Sequence, residues 1–401
     1  MAREKCWVTG SGPAGCGHAG AAMIVSPHEL AARIIRAGAR FVLALTGGGS
    51  RAIAELLEIP GASRAVLGAH VPYCEAALAD WLGAPAEQAC AEPTARAMAM
   101  AAFHRAWRCD PAAARLAGFA ATASLATDRP KRGPHRVHLA AQTAEATASL
   151  SLELHKGLRS RAEEEQVACA LVLNLMAETL NLTEQLALGL GEGESLQRCR
   201  QVAPEPWRDL LLGRIDCVCH GGPAESAPPS AARTVFPGAF HPLHVGHRRM
   251  AQLAQDLLGR PVEFEISLLN VEKPPLDYVE LARRTGQFAA GTVVWLTRAS
   301  TFVEKSRLFP GATFVVGADT LRRIADPRYY GNQPAACRQA IDEILARACR
   351  FLVFGRQDGL RFVTLADLDL PVGLRSACEG VPAERFREDI CSTALRRGDR
   401  P

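Results

Sequence analysis

The 401-residue sequence lacks any apolar run long enough to cross a membrane. Its longest candidates, such as residues 41–45, are strand-sized, whereas a transmembrane helix needs about 20 apolar residues. A strong charge bias is also missing, because the formal net charge is only +4. The sequence therefore predicts no transmembrane helix, and neither a membrane nor a nucleic acid is expected as a partner.

The sequence is also short of the signals that accompany disulfides or structural metals. Its thirteen cysteines are odd in number and scattered, and no secretory signal is visible at the start. This pattern predicts reduced thiols and a cytoplasmic protein. The segment Cys217-Val-Cys219-His220 has no second ligand pair after it. Structural zinc usually takes its ligands from two such pairs, so we interpret the segment as a strand end and predict no metal site.

A glycine motif near the start resembles a dinucleotide fingerprint in spacing alone. Gly10-Ser-Gly12-Pro-Ala-Gly15 fits G-x-G-x-x-G, but that fingerprint needs a strand before it, a helix after it and a later acidic residue. Residues 16–20 are glycine-rich and a poor helix. A new helix is predicted to begin at Ser26-Pro-His-Glu29, which has a capping box. Residues 1–25 are therefore predicted to be a disordered leader.

Beyond the leader, alternating helix and strand patterns predict two layered α/β domains without a fixed-period repeat. In the first domain (26–219), helices are predicted at 27–37, 51–57, 75–82, 94–106 and 161–180, and strands at 41–45, 136–142 and 148–154. Residues 220–232 are rich in Pro, Gly, Ser and Ala and predict a linker. In the second domain (233–401), strands at 234–236, 263–269, 292–296, 313–316 and 351–354 and a helix at 245–258 predict a Rossmann-like parallel sheet.

The strongest functional signal is Gly238-Ala239-Phe240-His-Pro-Leu-His244-Val-Gly246-His247, between a predicted strand and a predicted helix. A helix N-terminus is an anion site. His244 and His247 are three residues apart, so they share one face of its first turn, and Gly246 lets a phosphate come close. Two imidazoles there can donate hydrogen bonds to phosphate oxygens whose charge grows during in-line attack.

Two later segments fit the same chemistry, although each alone is also typical of an ordinary turn or a capped helix. The first, Val316-Gly317-Ala-Asp319, ends a strand with a carboxylate that can bind ribose hydroxyls or magnesium-bound water. The second, at residues 389–396, contains Ser392, Thr393 and Arg396. Hydroxyls, helix amides and a guanidinium in that arrangement can hold phosphate oxygens.

The long motif resembles the HxGH signature of the nucleotidyltransferase superfamily. Within it, residues 233–397 are most similar to nicotinamide and nicotinate mononucleotide adenylyltransferases. The shared segments are 238–247, 301–306, 316–319, 326–330, 354–356 and 389–396, with Cys391 replacing a family serine. The resemblance implies a Rossmann-like fold and transfer of AMP from ATP to a pyridine mononucleotide, with Mg²⁺ accompanying ATP and pyrophosphate leaving.

The resemblance also implies roles for individual residues. His244 and His247 stabilise the α-phosphate. The nucleotide-binding set is Gly238, Ala239, Phe240, Gly246, Gly317, Asp319, Ser392, Thr393 and Arg396. The acceptor-binding candidates are Trp295, Thr301, Tyr329 and Arg356. The aromatic rings of Trp295 and Tyr329 either offer a flat surface for a pyridine or belong to the apolar core. Two alternatives remain open: an ATP- or CTP-dependent transferase with another phosphorylated acceptor, and a scaffold that binds nucleotide without turnover.

Residues 26–185 resemble the nicotinamide-nucleotide amidase family, the C-terminal domain of competence-damage-inducible proteins (CinA). The shared segments are 46–50, 59–63 and 71–73. This alignment puts Thr46 at the family's nucleophilic serine, Gly48 at a family threonine and Leu78 at a family lysine, with Tyr73 nearby. A nucleophilic hydroxyl needs a base or a cation, so a degenerate site is predicted, which binds a nucleotide phosphate or serves only to form a homo-oligomer.

Overall fold

The computed structural model describes residues 23–129, 131–221, 233–270, 274–358 and 361–387. Most of the predicted leader and linker, together with Ser392, Thr393 and Arg396, lie outside these residues. Within them the chain is an α/β protein with mixed sheets in two bodies. No helix in these ranges is long and apolar enough to span a bilayer, and no disulfide joins the cysteines that they contain.

The first body is built on a mixed sheet. Its strands are β1 (Met23–Ile24), β2 (Arg40–Thr46), β3 (Val66–His70), β4 (Leu116–Ser124), β5 (His135–Thr143), β6 (Ala146–Leu154), β7 (Glu184–Gln185) and β8 (Leu196–Val202). Its helices are α1 (Pro27–Arg36), α2 (Arg51–Leu57), α3 (Glu75–Leu82), α4 (Glu92–Cys109) and α5 (Arg161–Thr179), with a 3₁₀ turn at Ala62–Arg64. Over the described ranges, the main sheet has the order β3-β2-β4-β5-β6-β8.

Helices cover both faces of this sheet. Strand β2 runs parallel to β3 and β4, and the β4-β5-β6-β8 half is antiparallel. Alternate residues of a strand point to opposite faces. Accordingly, Phe41 packs in one core with α1, α2 and α5, and Val42 packs in the other with α3 and α4.

Two findings at the start and centre of this body differ from the sequence analysis. The predicted disorder is wrong for Met23–Ile24, because these residues pair with Glu184–Gln185 as the β1-β7 ladder. The central strand β4 was not predicted, since alanine and glycine are depleted in strands. Gly118 of β4 packs against α4 so closely that a Cβ atom would lie 2.1 Å from the Phe103 nitrogen.

The second body carries the remaining elements. Its strands are β9 (Cys217–His220), β10 (Thr234–Pro237), β11 (Val262–Ser267), β12 (Val294–Thr297), β13 (Thr313–Gly317), β14 (Arg350–Phe354), β15 (Arg356–Asp358), β16 (Arg361–Val363) and β17 (Cys378–Gly380). Its helices are α6 (Glu205–Leu211), α7 (Val245–Leu258), α8 (Tyr278–Thr285), α9 (Phe302–Leu308), α10 (Ala318–Ile324), α11 (Pro334–Ala346) and α12 (Val372–Ser376). Short 3₁₀ helices lie at Pro327–Tyr330 and Leu365–Asp367.

The main sheet of this body is parallel except at one edge. In the part of the chain that the structure describes, its order is β17-β14-β13-β10-β11-β12-β9. The prediction of a parallel sheet is wrong for β9, because this strand runs antiparallel to β12. Cys217 and Cys219 of β9 pack against the apolar core of this sheet. This edge strand of the second sheet ends at His220, where we predicted the linker to begin, so the second sheet includes residues that we assigned to the first domain.

The strand order reverses beside β10. The chain runs from β10 through β11 to β12 on one side, and then crosses back to β13 and β14 on the other. In open α/β sheets, ligands bind beyond the carboxyl ends of the strands at such a reversal. The edge formed by the carboxyl ends of β10, β13 and β14 is therefore the natural place for a site.

The two bodies share an apolar core. Met100 and Phe103 of α4 are buried in one cluster with Trp207 of α6, Phe264 of β11 and Tyr278 of α8. The second body thus covers the face of α4 that points away from the first sheet.

Candidate functional site

His244 and His247 lie at the carboxyl end of β10, where α7 begins. His244 is the N-cap residue of α7, and its backbone N–H donates to His247 Nδ1 at 3.3 Å. The two rings are stacked with their centroids 3.7 Å apart. The three-residue spacing therefore places both imidazoles together on the first turn, as the sequence predicts.

The surroundings of His247 fix its charge and the position of its proton. Burial, aided by the charges of His244 and Arg356, lowers the pKa of His247 to about 3. The ring is therefore neutral near pH 7, and a neutral imidazole has one donor and one acceptor nitrogen. Because Nδ1 accepts the His244 amide, the proton is on Nε2. His247 can thus donate one N–H bond to an anion without being charged.

The loop before the two histidines is held by the Phe240 ring. Phe240 has a φ of +44°, which is the left-handed region, and its side chain is only 1% exposed. Its ring packs edge-on against Phe236, Phe264 and His247, with the His247 centroid 5.2 Å away. A Cβ atom on Gly238 would lie 2.6–3.0 Å from the Phe240 ring. Gly238 is therefore needed to make room for the Phe240 ring.

Two other predicted segments reach the same edge of the sheet. Arg356 follows β14, and its Nη1 lies 2.7 Å from Asp319 Oδ2 at the start of α10. The guanidinium also acts on the pKa of His247, so its charge is close to the histidine pair. Gly317 leaves space for this carboxylate, because a Cβ atom there would lie 2.7 Å from Asp319 Oδ1.

Helix α8 supplies side chains that hold the histidine loop and that the sequence analysis missed. Arg284 Nη1 donates to the Ala239 carbonyl at 3.0 Å. Gln287, just after the helix, donates to the Phe240 carbonyl at 2.9 Å and accepts the Leu243 N–H at 2.8 Å. The spacing of Glu280, Arg283 and Arg284 predicts a charged helix face but does not reveal what that face touches.

Glu280 is the centre of that charged face. It contacts His241 of the loop and both Arg283 and Arg284 of its own helix. Burial favours the neutral acid, but hydrogen bonds from His241 and Arg283 and the charge of Arg284 outweigh it and hold the pKa of Glu280 well below its usual range. A partly buried, ionised Glu280 therefore ties the histidine loop to α8.

The remaining acceptor-binding candidates are not brought together with the histidines by any observed contact. Trp295 is 6% exposed in the core, and its Nε1–H donates to Glu263 Oε2 at 2.7 Å. Of the two interpretations of Trp295, its burial and its bond to Glu263 favour a core residue over a stacking surface. Thr301 caps α9 in a capping box with Glu304. Tyr329 lies half-buried on the turn Pro327–Tyr330, and its role stays a prediction.

The predicted members of the amidase-like site do line one cavity. Thr46, Gly48 and Tyr73 border an open cavity of about 570 Å³ with Arg161 and Glu165. Thr46 ends β2 and is 8% exposed, whereas Tyr73 is 69% exposed at the rim. Arg161 Nη2 donates to the Gly47 carbonyl at 3.0 Å, which ties α5 to the glycine-rich loop.

The amides of that loop already have an anionic partner. Glu165 Oε2 accepts the Gly49 N–H at 2.9 Å, and Oε1 accepts the Arg51 N–H at 3.2 Å. The Ser50 hydroxyl also lies 3.4 Å from Oε1. The expected phosphate cradle is therefore occupied by a carboxylate of the same chain.

The positions that differ from the amidase family are closed by packing. A Cβ atom on Gly48 would lie 2.6 Å from Leu125 Cδ1, so a threonine there would require the buried Leu125 side chain to shift. Leu78 is 4% exposed on α3, within the apolar core. Neither position provides a polar group for Thr46. In the described ranges, no three His, Cys, Asp or Glu side chains are grouped so as to hold a metal ion.

No protein-family model matches the chain, and no curated protein matches it. About 40% of the chain structurally matches CinA-superfamily proteins. A competence/damage-inducible protein from Agrobacterium tumefaciens is 26% identical, with a TM-score of 0.31 over 40% of this chain and 98% of its own. A CinA-superfamily protein from Klebsiella pneumoniae is 17% identical, with a TM-score of 0.32 over 39% of this chain and 99% of its own.

A CinA-superfamily protein from Escherichia coli matches to a similar extent, at 19% identity and a TM-score of 0.29 over 39% of this chain and 90% of its own. The CinA resemblance is thus confirmed for part of the chain, as a structural similarity. The resemblance of residues 233–397 to nucleotidyltransferases stays a prediction.

Proposed function

We propose that the second body transfers AMP from ATP to nicotinamide or nicotinate mononucleotide. The observation that carries the proposal is the stacked pair His244 and His247 at the first turn of α7, beside the strand-order reversal. A helix N-terminus and a neutral N–H donor both complement a phosphate. Arg356 adds a positive charge to the same place.

The chemistry is an in-line substitution at the α-phosphorus of ATP. An oxygen of the mononucleotide 5′-phosphate forms the new P–O bond, the bond from the α-phosphorus to the α,β-bridging oxygen breaks, and pyrophosphate leaves with its magnesium ion. The His247 N–H, with His244 beside it, stabilises the α-phosphate oxygens as their charge grows. No covalent bond to the protein is needed. Asp319 remains our candidate for the ribose hydroxyls or magnesium-bound water, and Ser392, Thr393 and Arg396 for the β- and γ-phosphates.

A pyrophosphate assay on the full chain tests this function. MgATP is supplied with nicotinamide mononucleotide, nicotinate mononucleotide or another phosphorylated acceptor, and each mixture is repeated with CTP. We expect pyrophosphate and a dinucleotide only when ATP meets a pyridine mononucleotide. Turnover with CTP or with a different acceptor would favour the other transferases. ATP binding without pyrophosphate in any mixture would favour a scaffold.

For the first body we propose a degenerate amidase-like fold, which binds a small molecule or pairs copies of the chain. Nicotinamide mononucleotide supplied alone is expected to release no ammonia, because neither Leu78 nor Gly48 provides a group that activates the Thr46 hydroxyl. A coupled ammonia assay measures this. Thr46→Ala is the matched variant, and steady ammonia release that this variant abolishes would show that the site is a working amidase.

A further inference from the structure

One buried ion pair joins the two bodies at the start of α8. Arg96 Nη1 of α4 lies 2.6 Å from Asp277 Oδ1, and their side chains are 6% and 9% exposed. Asp277 is also the N-cap of α8, where the same oxygen accepts the Glu280 N–H at 3.0 Å. Glu92 holds the other side of the guanidinium, with Oε1 2.8 Å from Arg96 Nε. The first turn of α8 is thus tied to a charged network of the first body.

The next residue of α8 strengthens this attachment. The Tyr278 N–H donates to Thr147 Oγ1 at 3.0 Å, and the Tyr278 hydroxyl donates to the Ala144 carbonyl at 2.7 Å. Both acceptors belong to the β5-β6 hairpin of the first body. Tyr278 is fully buried, so its ring cannot move without opening the shared core.

The histidine loop is held by the last turn of α8 and by Gln287 just after it, together with Glu280 of the first turn. Arg284 binds the Ala239 carbonyl, Gln287 binds the Phe240 carbonyl and the Leu243 N–H, and Glu280 contacts His241. Helix α8 is only eight residues long. A helix of two turns is a rigid element, so a displacement of its first turn is passed to its last.

We propose that Arg96 is a positioning residue, through which the first body sets the geometry of the His244–His247 site. The first body thereby completes the proposed transfer site without touching the reacting atoms. This inference rests on the proposed function for its catalytic consequence, but the mechanical link between Arg96 and the loop stands on the contacts alone.

The experiment uses two single variants of the full chain, Arg96→Met and Asp277→Asn. Asp277→Asn keeps a side chain that can cap α8, and it provides the test if Arg96→Met folds poorly. Hydrogen exchange of peptides that cover residues 239–247 is measured by mass spectrometry, with residues 350–354 of β14 as the internal reference. Loop exchange is expected to become about ten-fold faster while the reference is unchanged, because only the attachment of α8 is loosened. In the pyrophosphate assay, kcat is expected to fall about ten-fold or more, since small misplacements of catalytic groups are costly.

Arg159→Met is the matched control. Arg159 pairs with Glu194 in the first body, at 2.8 Å and with side chains 10% and 0% exposed. Its guanidinium also donates to the Gly189 carbonyl, so these bonds lie within the first body. It should change neither loop exchange nor kcat relative to the folded fraction. Loop exchange in Arg96→Met and Asp277→Asn that equals the wild-type rate would overturn the inference. Faster loop exchange in a protein that never releases pyrophosphate would instead reject the proposed function and keep the link.

Discussion

Replacement of His247 by alanine is expected to lower the rate of pyrophosphate release by about 100- to 1,000-fold, which is the usual effect of removing one preorganised donor from a transition state. The donor here is the Nε2–H, because Nδ1 is held by the His244 amide. The loss should appear mainly in kcat, since the bond strengthens as charge grows on the α-phosphate. Initial rates at saturating MgATP and mononucleotide measure it.

Two further variants and a pH profile sharpen this test. His28→Ala removes an exposed histidine of α1 and should leave the rate unchanged, whereas His247→Gln keeps an N–H donor and should retain part of it. With a pKa of about 3, His247 stays neutral as the pH falls through about 6.5, where an ordinary histidine titrates. The pH–rate profiles of the wild type and of His247→Gln are therefore compared. The wild-type profile should show no step near pH 6.5 that is absent from the profile of the variant. A His247→Ala enzyme as fast as wild type would contradict the proposed site.

Replacement of Lys305 by methionine is expected to lower the free energy of unfolding by about 3–5 kcal/mol, the typical cost of leaving one charge of a buried pair unpaired. Lys305 Nζ lies 2.8 Å from both carboxylate oxygens of Glu265 and 2.7 Å from the Ala299 carbonyl. Glu265 is 1% exposed and Lys305 is 6% exposed. Methionine keeps most of the side-chain volume, so the change isolates the charge. Urea unfolding followed by circular dichroism measures the effect.

A control on the same helix separates this effect from the loss of any ion pair. Arg307→Met breaks the pair with Glu343, in which the arginine side chain is 55% exposed, and should change stability little. The double variant Glu265→Gln/Lys305→Met should recover much of the lost stability, because no buried charge is left alone. If Lys305→Met unfolds at the same urea concentration as Arg307→Met, Lys305 has no such role.

Local patterns in the sequence were sufficient to predict much of the secondary structure. The capping box at Ser26 and Glu29 begins α1 as expected, and the strands predicted at 136–142 and 148–154 are β5 and β6. These signals are readable because they depend on neighbours within a turn or on alternation along one strand. The shared face of His244 and His247 follows from the same local geometry.

Long-range contacts decided the points on which the sequence analysis was wrong or silent. Trp295 looked like a possible stacking surface, but Glu263 and the apolar core enclose it. The glycine-rich loop at Thr46 looked like a phosphate cradle, but Glu165 of α5, more than a hundred residues later, occupies its amides. No sequence pattern reveals which side chain reaches a set of free amides from elsewhere in the fold.

The amino-acid sequence alone thus predicted the strand, turn and helix that carry the histidine pair, because those elements depend on residues next to one another. Only the folded chain brought the charge of Arg356 close enough to lower the pKa of His247. It also showed that α8 is attached at one end to Arg96 and at the other to the histidine loop. The physical reason is that these contacts join segments far apart in the chain, and their geometry is set by packing between sheets and helices rather than by local conformational preference.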